Sequence, residues 1–250
     1  MFRREKLLVP ILLLFLLLPP EASSQAEGNV VGKVGLGING NFHFPVSTLK
    51  DRFREAVTWG TFVTYAQGPR TTVEVEYHRS RFDPGKLEES TFFWPEGSPN
   101  KWRRYKSPLA RNLMTINAFT VNGLYHFVDR MAAGGGSQQV VVGPYFAFGG
   151  GFYHYTNSVS GLIFAGQPDQ GTGLDDTLLL DPFKDTDVAW GGSLGGGVEV
   201  LMNNTALDVR ARYHLLIGEL RQMDAYGVGR TYPLQYFEIG VSIRYYIGRL

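Results

Sequence analysis

The sequence of 250 residues has no cysteine, almost no net charge and no apolar run long enough for a membrane helix. Without cysteine there is no disulfide framework, which excludes a small secreted fold held by disulfides. The 24 basic residues nearly balance 23 acidic ones, and this balance argues against a nucleic-acid-binding protein. The longest apolar run, positions 7–18, is shorter than the ~20 residues that a spanning helix needs.

The first 26 residues have the organisation of a secretory signal peptide. Basic residues near the amino terminus precede the apolar run, and Ala22-Ser23-Ser24 or Ser24-Gln25-Ala26 supplies small residues for cleavage. We therefore expect export, with residues 1–26 removed as a signal peptide and residues 27–250 forming one domain. Cleavage after Ala26 would remove three basic and two acidic residues and leave a formally neutral chain.

A period of two residues is clearest between Val188 and Leu215. Even positions are apolar or glycine up to Met202, whereas odd positions are mostly glycine or another small residue. After Asn203-Asn204, which suits a two-residue hairpin turn, apolar residues take the odd positions and charged residues most of the even ones. Such alternation predicts strands. An apolar outer face over a polar or small inner face is typical of a membrane-spanning barrel.

The same alternation predicts eight strands along the chain. They lie around residues 33–44, 57–65, 73–78, 113–127, 140–155, 188–202, 205–215 and 237–247. The connections alternate between long and short, as in an outer-membrane barrel with short periplasmic turns and long external loops. We therefore predict an all-β fold: an eight-stranded antiparallel transmembrane β-barrel with an up-and-down meander, following a cleaved signal peptide. In the first half of the fourth strand, the alternation does not decide which side chains face outward, and a β-bulge there stays an alternative.

Aromatic residues near the predicted strand ends are expected to form girdles at the two membrane surfaces. These are Trp59, Tyr65, Tyr77, Tyr125, Phe127, Trp190 and Tyr245.

Four segments of the predicted strands carry a likeness to a known protein family. Residues 143–152, GPYFAFGGGF, join a proline-tyrosine pair to small residues, residues 190–200 are rich in glycine, and residues 208–214 are charged. The last strand has Glu238, Gly240, Ile243 and Tyr245 at its polar, glycine and apolar positions. In these features the chain resembles the small outer-membrane β-barrel domains of the OmpA/OmpX/OmpW kind, and the last strand resembles their C-terminal assembly signal.

The resemblance implies a location in a Gram-negative outer membrane. It also implies contact with outer-membrane lipid and lipopolysaccharide, delivery by periplasmic chaperones and insertion by the outer-membrane assembly machinery. We expect a monomer and no nucleic-acid partner.

Eleven ionisable residues are predicted to face the interior of the barrel. They are Lys33, Glu74, Glu76, His78, Glu199, Asp208, Arg210, Arg212, His214, Glu238 and Arg244. An eight-stranded barrel is only wide enough inside for side chains, and buried charges must be paired. We therefore interpret these residues as a charge network that fills the lumen. A porin-like channel for small solutes stays an alternative, because glycines on the first, fifth and sixth strands leave room inside.

Other functions receive less support from the sequence. The five histidines are dispersed, and no Ser-His-acid set can be assembled from spacing alone, so a lipid-modifying hydrolase or acyltransferase is only a further alternative. Gly35–Gly40 matches a dinucleotide fingerprint, but strand alternation continues through it and no helix follows. We predict no catalytic residue, cofactor or metal. A secreted soluble barrel with a ligand cavity would need its apolar faces turned inward.

Basic and aromatic residues alternate in the second predicted external loop. They are Lys101, Trp102, Arg103, Arg104 and Lys106. Such a segment can contact lipopolysaccharide phosphates or another anionic partner, and a solvated loop is the alternative. The predicted function is a structural or surface-interaction role through the long external loops.

Overall fold

The computed structural model describes residues 30–82, 86–96, 101–130, 140–168 and 173–249, so the predicted signal peptide lies outside the described residues. The described residues form ten strands: β1 Lys33–Pro45, β2 Ala56–Tyr65, β3 Thr71–Phe82, β4 Thr91–Pro95, β5 Trp102–Lys106, β6 Arg111–His126, β7 Val140–Ser160, β8 Phe183–Met202, β9 Thr205–Ile217 and β10 Leu234–Arg249. Short 3-10 helices lie at Ser47–Asp51, Lys86–Glu89 and Asp224–Tyr226.

Eight of these strands form a closed antiparallel barrel, as the sequence predicts. The order around the barrel is β1-β10-β9-β8-β7-β6-β3-β2. Each barrel strand pairs with the next one along the chain, and β1 with β10 closes the ring. Closure leaves no free sheet edge, which is the condition for a sheet to span a membrane. Among the described residues, no helix is long and apolar enough to cross a membrane.

The three longest connections all lie at one end of the barrel, and the two shortest lie at the other. Residues 66–70, 127–139 and 203–204 connect strands at one end, and residues 46–55, 83–110, 161–182 and 218–233 connect strands at the other, although 127–139 is longer than 46–55. Asn203 has φ 53°, the left-handed conformation that a two-residue hairpin turn needs. By the usual pattern of such barrels, the end with the long connections is the external end.

The structure corrects three local predictions. The segment 83–109 is not wholly a loop, because β4 and β5 pair as a two-stranded ribbon within it. The predicted loop 156–187 is shorter, since β7 continues to Ser160 and β8 begins at Phe183. No bulge interrupts β6, whose register with β3 and β7 is continuous. Met114, Ile116 and Ala118, in the ambiguous half of this strand, face the lumen and pack in an apolar cluster there.

Large apolar side chains cover the outside of the barrel. Exposed fractions reach 71% for Val57, 60% for Ile38 and Val241, and 58% for Val209. An apolar surface this continuous is far larger than the patches that soluble monomers expose, and it is the outward band of a transmembrane barrel. Six of the seven predicted girdle residues are exposed on this surface, and Tyr65 is half-buried.

Candidate functional site

Ten of the eleven predicted lumen residues are buried inside the barrel. On β3, β8, β9 and β10 they are Glu74, Glu76, His78, Glu199, Asp208, Arg210, Arg212, His214, Glu238 and Arg244. Lys33 is the exception, because it is only half-buried. It begins β1, where the register with β10 shifts, and its half-exposed side chain donates from Nζ to Asn204 Oδ1 at 3.0 Å.

The layer of the charge network that lies farthest from the external end centres on Glu199. Arg244 Nη1 donates to Glu199 Oε2 at 2.9 Å, and Arg130 Nη1 lies 3.8 Å from Oε1. Arg130 also donates to the carbonyls of Gly68 and Thr71 at 3.4 and 3.3 Å, so it fastens the β2–β3 turn to the barrel interior. Sequence reasoning missed Arg130 because it lies in a predicted turn, where alternation gives no direction for a side chain.

Glu74 lies at ion-pair distance from three arginines of the lumen. Its Oε1 accepts from Arg212 Nη2 at 2.6 Å, and its Oε2 lies 3.5 Å from Arg210 Nη2 and 3.6 Å from Arg244 Nη2. Asp208 sits beside it, 3.0 Å from Arg210 Nη2 and 3.6 Å from Arg244 Nη2. Two carboxylates therefore hold three guanidinium groups at the centre of the barrel.

Glu76 continues the charge network towards the external end. Its Oε2 accepts from Arg212 Nη1 at 2.7 Å, and its Oε1 accepts from the Asn39 amide at 2.6 Å. Phe62 packs against the network on one side, with the guanidinium carbons of Arg210 and Arg244 5.1 and 5.3 Å from its ring centroid. An aromatic face opposite two buried guanidinium groups adds cation–π attraction.

A histidine layer lies above these ion pairs. His43 and His214 both approach Glu238 Oε2, with their Nε2 atoms at 3.1 and 3.3 Å. Tyr236 stacks against both imidazoles, with ring centroids 4.5 and 4.6 Å away, and His78 Nε2 lies 3.3 Å from its hydroxyl. Glu238 is the one buried lumen carboxylate for which no arginine lies at ion-pair distance among the described residues. Its Oε2 instead lies within hydrogen-bond distance of the two histidine Nε2 atoms.

The histidine layer brings together a serine, a histidine and an acid that spacing alone could not assemble. Ser80 Oγ lies 2.9 Å from His43 Nδ1, and His43 Nε2 lies 3.1 Å from Glu238 Oε2. All three side chains are fully buried, so a substrate has no approach to the hydroxyl. Among the described residues, no group of three or more His, Asp or Glu is placed to hold a metal ion.

The space beside the inward glycines is occupied, either by a side chain or by the backbone of an adjacent strand. A Cβ on Gly37 would lie 2.2 Å from the Phe62 ring, and one on Gly191 would lie 2.7 Å from Tyr153. On Gly197 it would lie 2.8 Å from the Tyr145 hydroxyl. The expectation that these glycines open the lumen is therefore wrong: each makes room for a large side chain on an adjacent strand.

The external mouth of the barrel is closed by an apolar plug. Leu49 and Phe53 of the first external loop are fully buried and pack with inward residues of seven barrel strands and with Leu220 of the last external loop. These partners are Ala56, Phe82, Met114, Ile116, Ala118, Tyr153, Tyr155, Ala189, Leu216, Leu234 and Tyr236. At the opposite end, Val30, Ala66, Leu201, Ala206 and Tyr246 form a smaller apolar cluster. The charge network thus lies between two apolar layers.

Above the plug, the three longer external connections fold onto one another as an external cap with its own apolar core. The core joins Leu87, Phe92, Trp94, Ala110, Val159, Leu162, Ile163, Met223, Tyr226 and Val228. Tyr226 fastens it, because its hydroxyl donates to the Ile163 carbonyl at 2.6 Å and lies 3.0 Å from Ser107 Oγ. Burial raises the pKa of Tyr226 above its ordinary value.

Arg52 fixes the plug to the cap. Its Nη2 donates to the carbonyl oxygens of Arg221 and Gly229 in the last external loop, at 2.8 Å for Gly229. Burial lowers the pKa of Arg52 to about 10, and the nearby Asp185 carboxylate opposes that shift. The guanidinium thus stays charged at neutral pH while it replaces solvent around two loop carbonyls.

The five predicted contact residues lie in or beside the ribbon of β4 and β5. Register places Trp102, Arg104 and Lys106 on one face, opposite Pro95, Phe93 and Thr91. This exposed ribbon face also carries a cation–π pair, with the Arg104 guanidinium 4.8 Å from the Phe93 ring. Arg103 belongs to the other face and pairs with Glu96 at 3.1 Å. Lys101 is exposed just before β5.

No protein-family model matches this sequence, and no curated protein is significantly similar to it. Solved structures of similar shape include Neisserial surface protein A, with 14% identity, a TM-score of 0.46 and coverage of 85% of this chain and 96% of that one. Ail, the attachment invasion locus protein of Yersinia pestis, has 10% identity, a TM-score of 0.41 and coverage of 86% and 97%. The N-terminal β-barrel domain of Pseudomonas aeruginosa OprF has 10% identity, a TM-score of 0.39 and coverage of 86% and 98%.

The eight-stranded ring, its outward apolar band and its sorted connections identify the fold of this chain. The chain is a small transmembrane β-barrel of the outer-membrane type.

Proposed function

We propose that the protein is a rigid outer-membrane anchor that displays a folded external cap for surface interaction. The observation that carries this proposal is the continuity of packing along the barrel axis. A charge network, an apolar plug and an apolar loop core follow one another without a break. Long loops without structure of their own suit a passive barrel, whereas loops that pack into a core present a fixed surface.

The exposed ribbon face is the contact surface that we assign to an anionic partner. Trp102, Arg104 and Lys106 lie side by side on it and are exposed. Cationic side chains beside aromatic rings suit phosphate or sulfate groups carried on a saccharide. The sugar–phosphate part of lipopolysaccharide and a soluble anionic polysaccharide share this chemistry.

Removing the ribbon charges is expected to weaken polyanion binding by about tenfold, since two charge-assisted contacts are lost. The variant is Arg104→Gln/Lys106→Gln, and binding of the refolded protein to heparin and to purified lipopolysaccharide is measured in separate titrations. The matched control, Arg54→Gln/Arg230→Gln, removes two exposed charges that pair with Glu89 and Glu219 and should bind as the wild type does. Equal binding by all three proteins would reject the ribbon as the contact surface.

The channel alternative predicts conductance, and the packed lumen predicts none. Wild-type protein inserted in planar bilayers should show no discrete current steps, because side chains fill the lumen between the two apolar layers. Insertion is verified by a heat-dependent shift in gel mobility of protein recovered from the same lipid, and a porin serves as the conducting control. Regular current steps from folded wild-type protein would instead support the hypothesis of a small-solute channel.

A further inference from the structure

A cavity of about 380 Å³ lies between two loops of the external cap. Residues 163–166 and 180–183 form one wall, and residues 221–226 form the other. The volume lies within the range of small-molecule sites, about 300–1,000 Å³. The described residues that line this cavity lie outside the ribbon of β4 and β5, so the cavity is a separate feature from the contact surface proposed above.

Hydrogen bonds within the protein hold both walls of the cavity in place. The Phe164 amide donates to the Leu178 carbonyl at 2.8 Å, and the buried Gln167 side chain donates to the Phe164 carbonyl at 3.0 Å. The Tyr226 hydroxyl joins the two walls, because it donates to the Ile163 carbonyl at 2.6 Å. A cavity whose walls are fixed in this way can take a ligand without the cost of first ordering its loops.

Apolar and aromatic side chains make up most of the lining. Ile163, Met223 and Tyr226 reach the cavity from the buried core of the cap. Phe183 contributes a ring that the Arg221 guanidinium covers, with the guanidinium carbon 4.5 Å from the ring centroid. Such a surface suits a flat apolar group such as an aromatic ring.

The charged groups of the lining favour a cationic ligand. Asp181 and Asp224 are exposed, and neither lies at ion-pair distance from a basic side chain in the part of the chain that the structure describes. Gln222 fixes one of the two, because its Nε2 donates to Asp224 Oδ2 at 3.1 Å. The charge of Arg221 is already compensated, since its Nε lies 3.6 Å from Asp185 Oδ1. Two carboxylates are therefore free to accept charge-assisted hydrogen bonds from a ligand.

We propose that this cavity binds a small organic cation that joins an aromatic ring to an ammonium group. The ring packs against Phe183, Met223 and Tyr226, and the ammonium group pairs with Asp181 and Asp224. The aromatic faces of the lining add cation–π attraction to the same charge. This inference goes beyond the surface contact proposed above, because it depends on the folded cap and not on the ribbon.

Isothermal titration calorimetry of the wild-type protein in detergent micelles tests the ligand class first. Three probes carry the same indole ring with different charges: tryptamine is a cation, indole-3-ethanol is neutral and indole-3-acetate is an anion. We expect tryptamine to bind at least about tenfold more tightly than indole-3-acetate, with indole-3-ethanol between them, since the carboxylates attract an ammonium group and repel another carboxylate. Equal affinities for the three probes, or no saturable binding of any of them, would overturn the proposal.

The variant Asp181→Asn/Asp224→Asn then tests the two carboxylates. We expect the affinity for tryptamine to fall about tenfold, while the affinity for indole-3-ethanol, the heat-dependent gel mobility and heparin binding stay at wild-type levels. The matched control is Asp176→Asn/Glu96→Gln, which removes the same charge from the cap outside the cavity and should bind tryptamine normally. Unchanged tryptamine binding by the folded Asp181→Asn/Asp224→Asn variant would reject the two carboxylates as the cation site.

The variant Ala225→Trp locates binding within the cavity. Ala225 lines the cavity and is exposed, so an indole ring at this position occupies the cavity without removing a buried side chain. All three probes should lose saturable binding, while the heat-dependent mobility stays that of the wild type. Wild-type tryptamine binding by the folded variant would mean that the probe enters the micelle or another site, and would exclude the cavity.

Discussion

Replacing Glu74 with glutamine should lower the free energy of unfolding by about 3–5 kcal/mol, the range for breaking a buried ion pair. The carboxylate is fully buried and lies within 3.6 Å of Arg210, Arg212 and Arg244. Glutamine preserves the shape but removes the negative charge, so Asp208, Glu76 and Glu199 are left to compensate three guanidinium groups. The measurement is equilibrium unfolding in urea of protein refolded into lipid vesicles, followed by tryptophan fluorescence and gel mobility.

The matched control for this prediction is Glu96→Gln on the ribbon. Glu96 also pairs with an arginine, but both partners are exposed, with 38% of the Glu96 and 63% of the Arg103 side chain accessible. Exposed pairs contribute about 0–1 kcal/mol, so this substitution should be almost silent. If Glu74→Gln were equally silent, the buried network would not hold the barrel together and its role in filling the lumen would need another explanation.

The sequence predicts which side chains of each strand face the lumen, because the other face of every barrel strand lies in an apolar medium. A period of two then assigns each residue to the lumen or to the outside, and Glu74, Arg212 and Glu238 accordingly lie inside. The same rule cannot tell which inward residues meet. The contacts of His43 on β1 with Ser80 on β3 and Glu238 on β10 depend on strand tilt and stagger around the closed ring, which alternation does not encode.

The folded external cap could not be predicted for a different reason. The ribbon strand β4 contains the run Phe92-Phe93-Trp94, in which all three residues are aromatic, so alternation does not separate its buried and exposed faces. Phe92 and Trp94 are buried by packing against residues of two other loops. A contact between segments that are distant in sequence leaves no local pattern, and Leu49 and Phe53 in the plug were missed for the same reason.

The glycines led to a wrong prediction about free space, and the cause is steric. A glycine leaves free space in the lumen only when no neighbouring atoms occupy the volume of the missing side chain. In an eight-stranded barrel the inner surface is strongly curved, and neighbouring strands supply the missing volume. Near Gly195 the neighbour is not a side chain but the backbone of β9: a Cβ would lie 2.1 Å from the Ala211 carbonyl oxygen and 2.6 Å from Arg212 Cα. Backbone cannot rotate away as a side chain can.

Gly195→Ala is therefore expected to destabilise the barrel by about 3 kcal/mol, the upper part of the range for overpacking. To admit one methyl group, β8 must move away from β9, which disturbs the ladder around Gly195 and Arg212 and the ion pairs that Arg212 makes with Glu74 and Glu76. The readouts are the urea midpoint in lipid vesicles and the temperature at which the compact gel form converts to the extended one.

Gly40→Ala tests whether position, rather than the loss of a glycine, causes the effect. Gly40 also lies within a barrel strand, β1, but faces the membrane, and a Cβ there would have nothing within 4 Å. Alanine should be neutral or slightly stabilising at this site, because it restricts the unfolded chain and adds apolar surface to the outward band. Equal losses from Gly195→Ala and Gly40→Ala would mean that backbone flexibility, not close strand approach, explains the glycines of this barrel. A loss confined to Gly195→Ala would show that the tight approach of β8 and β9 is what requires glycine there.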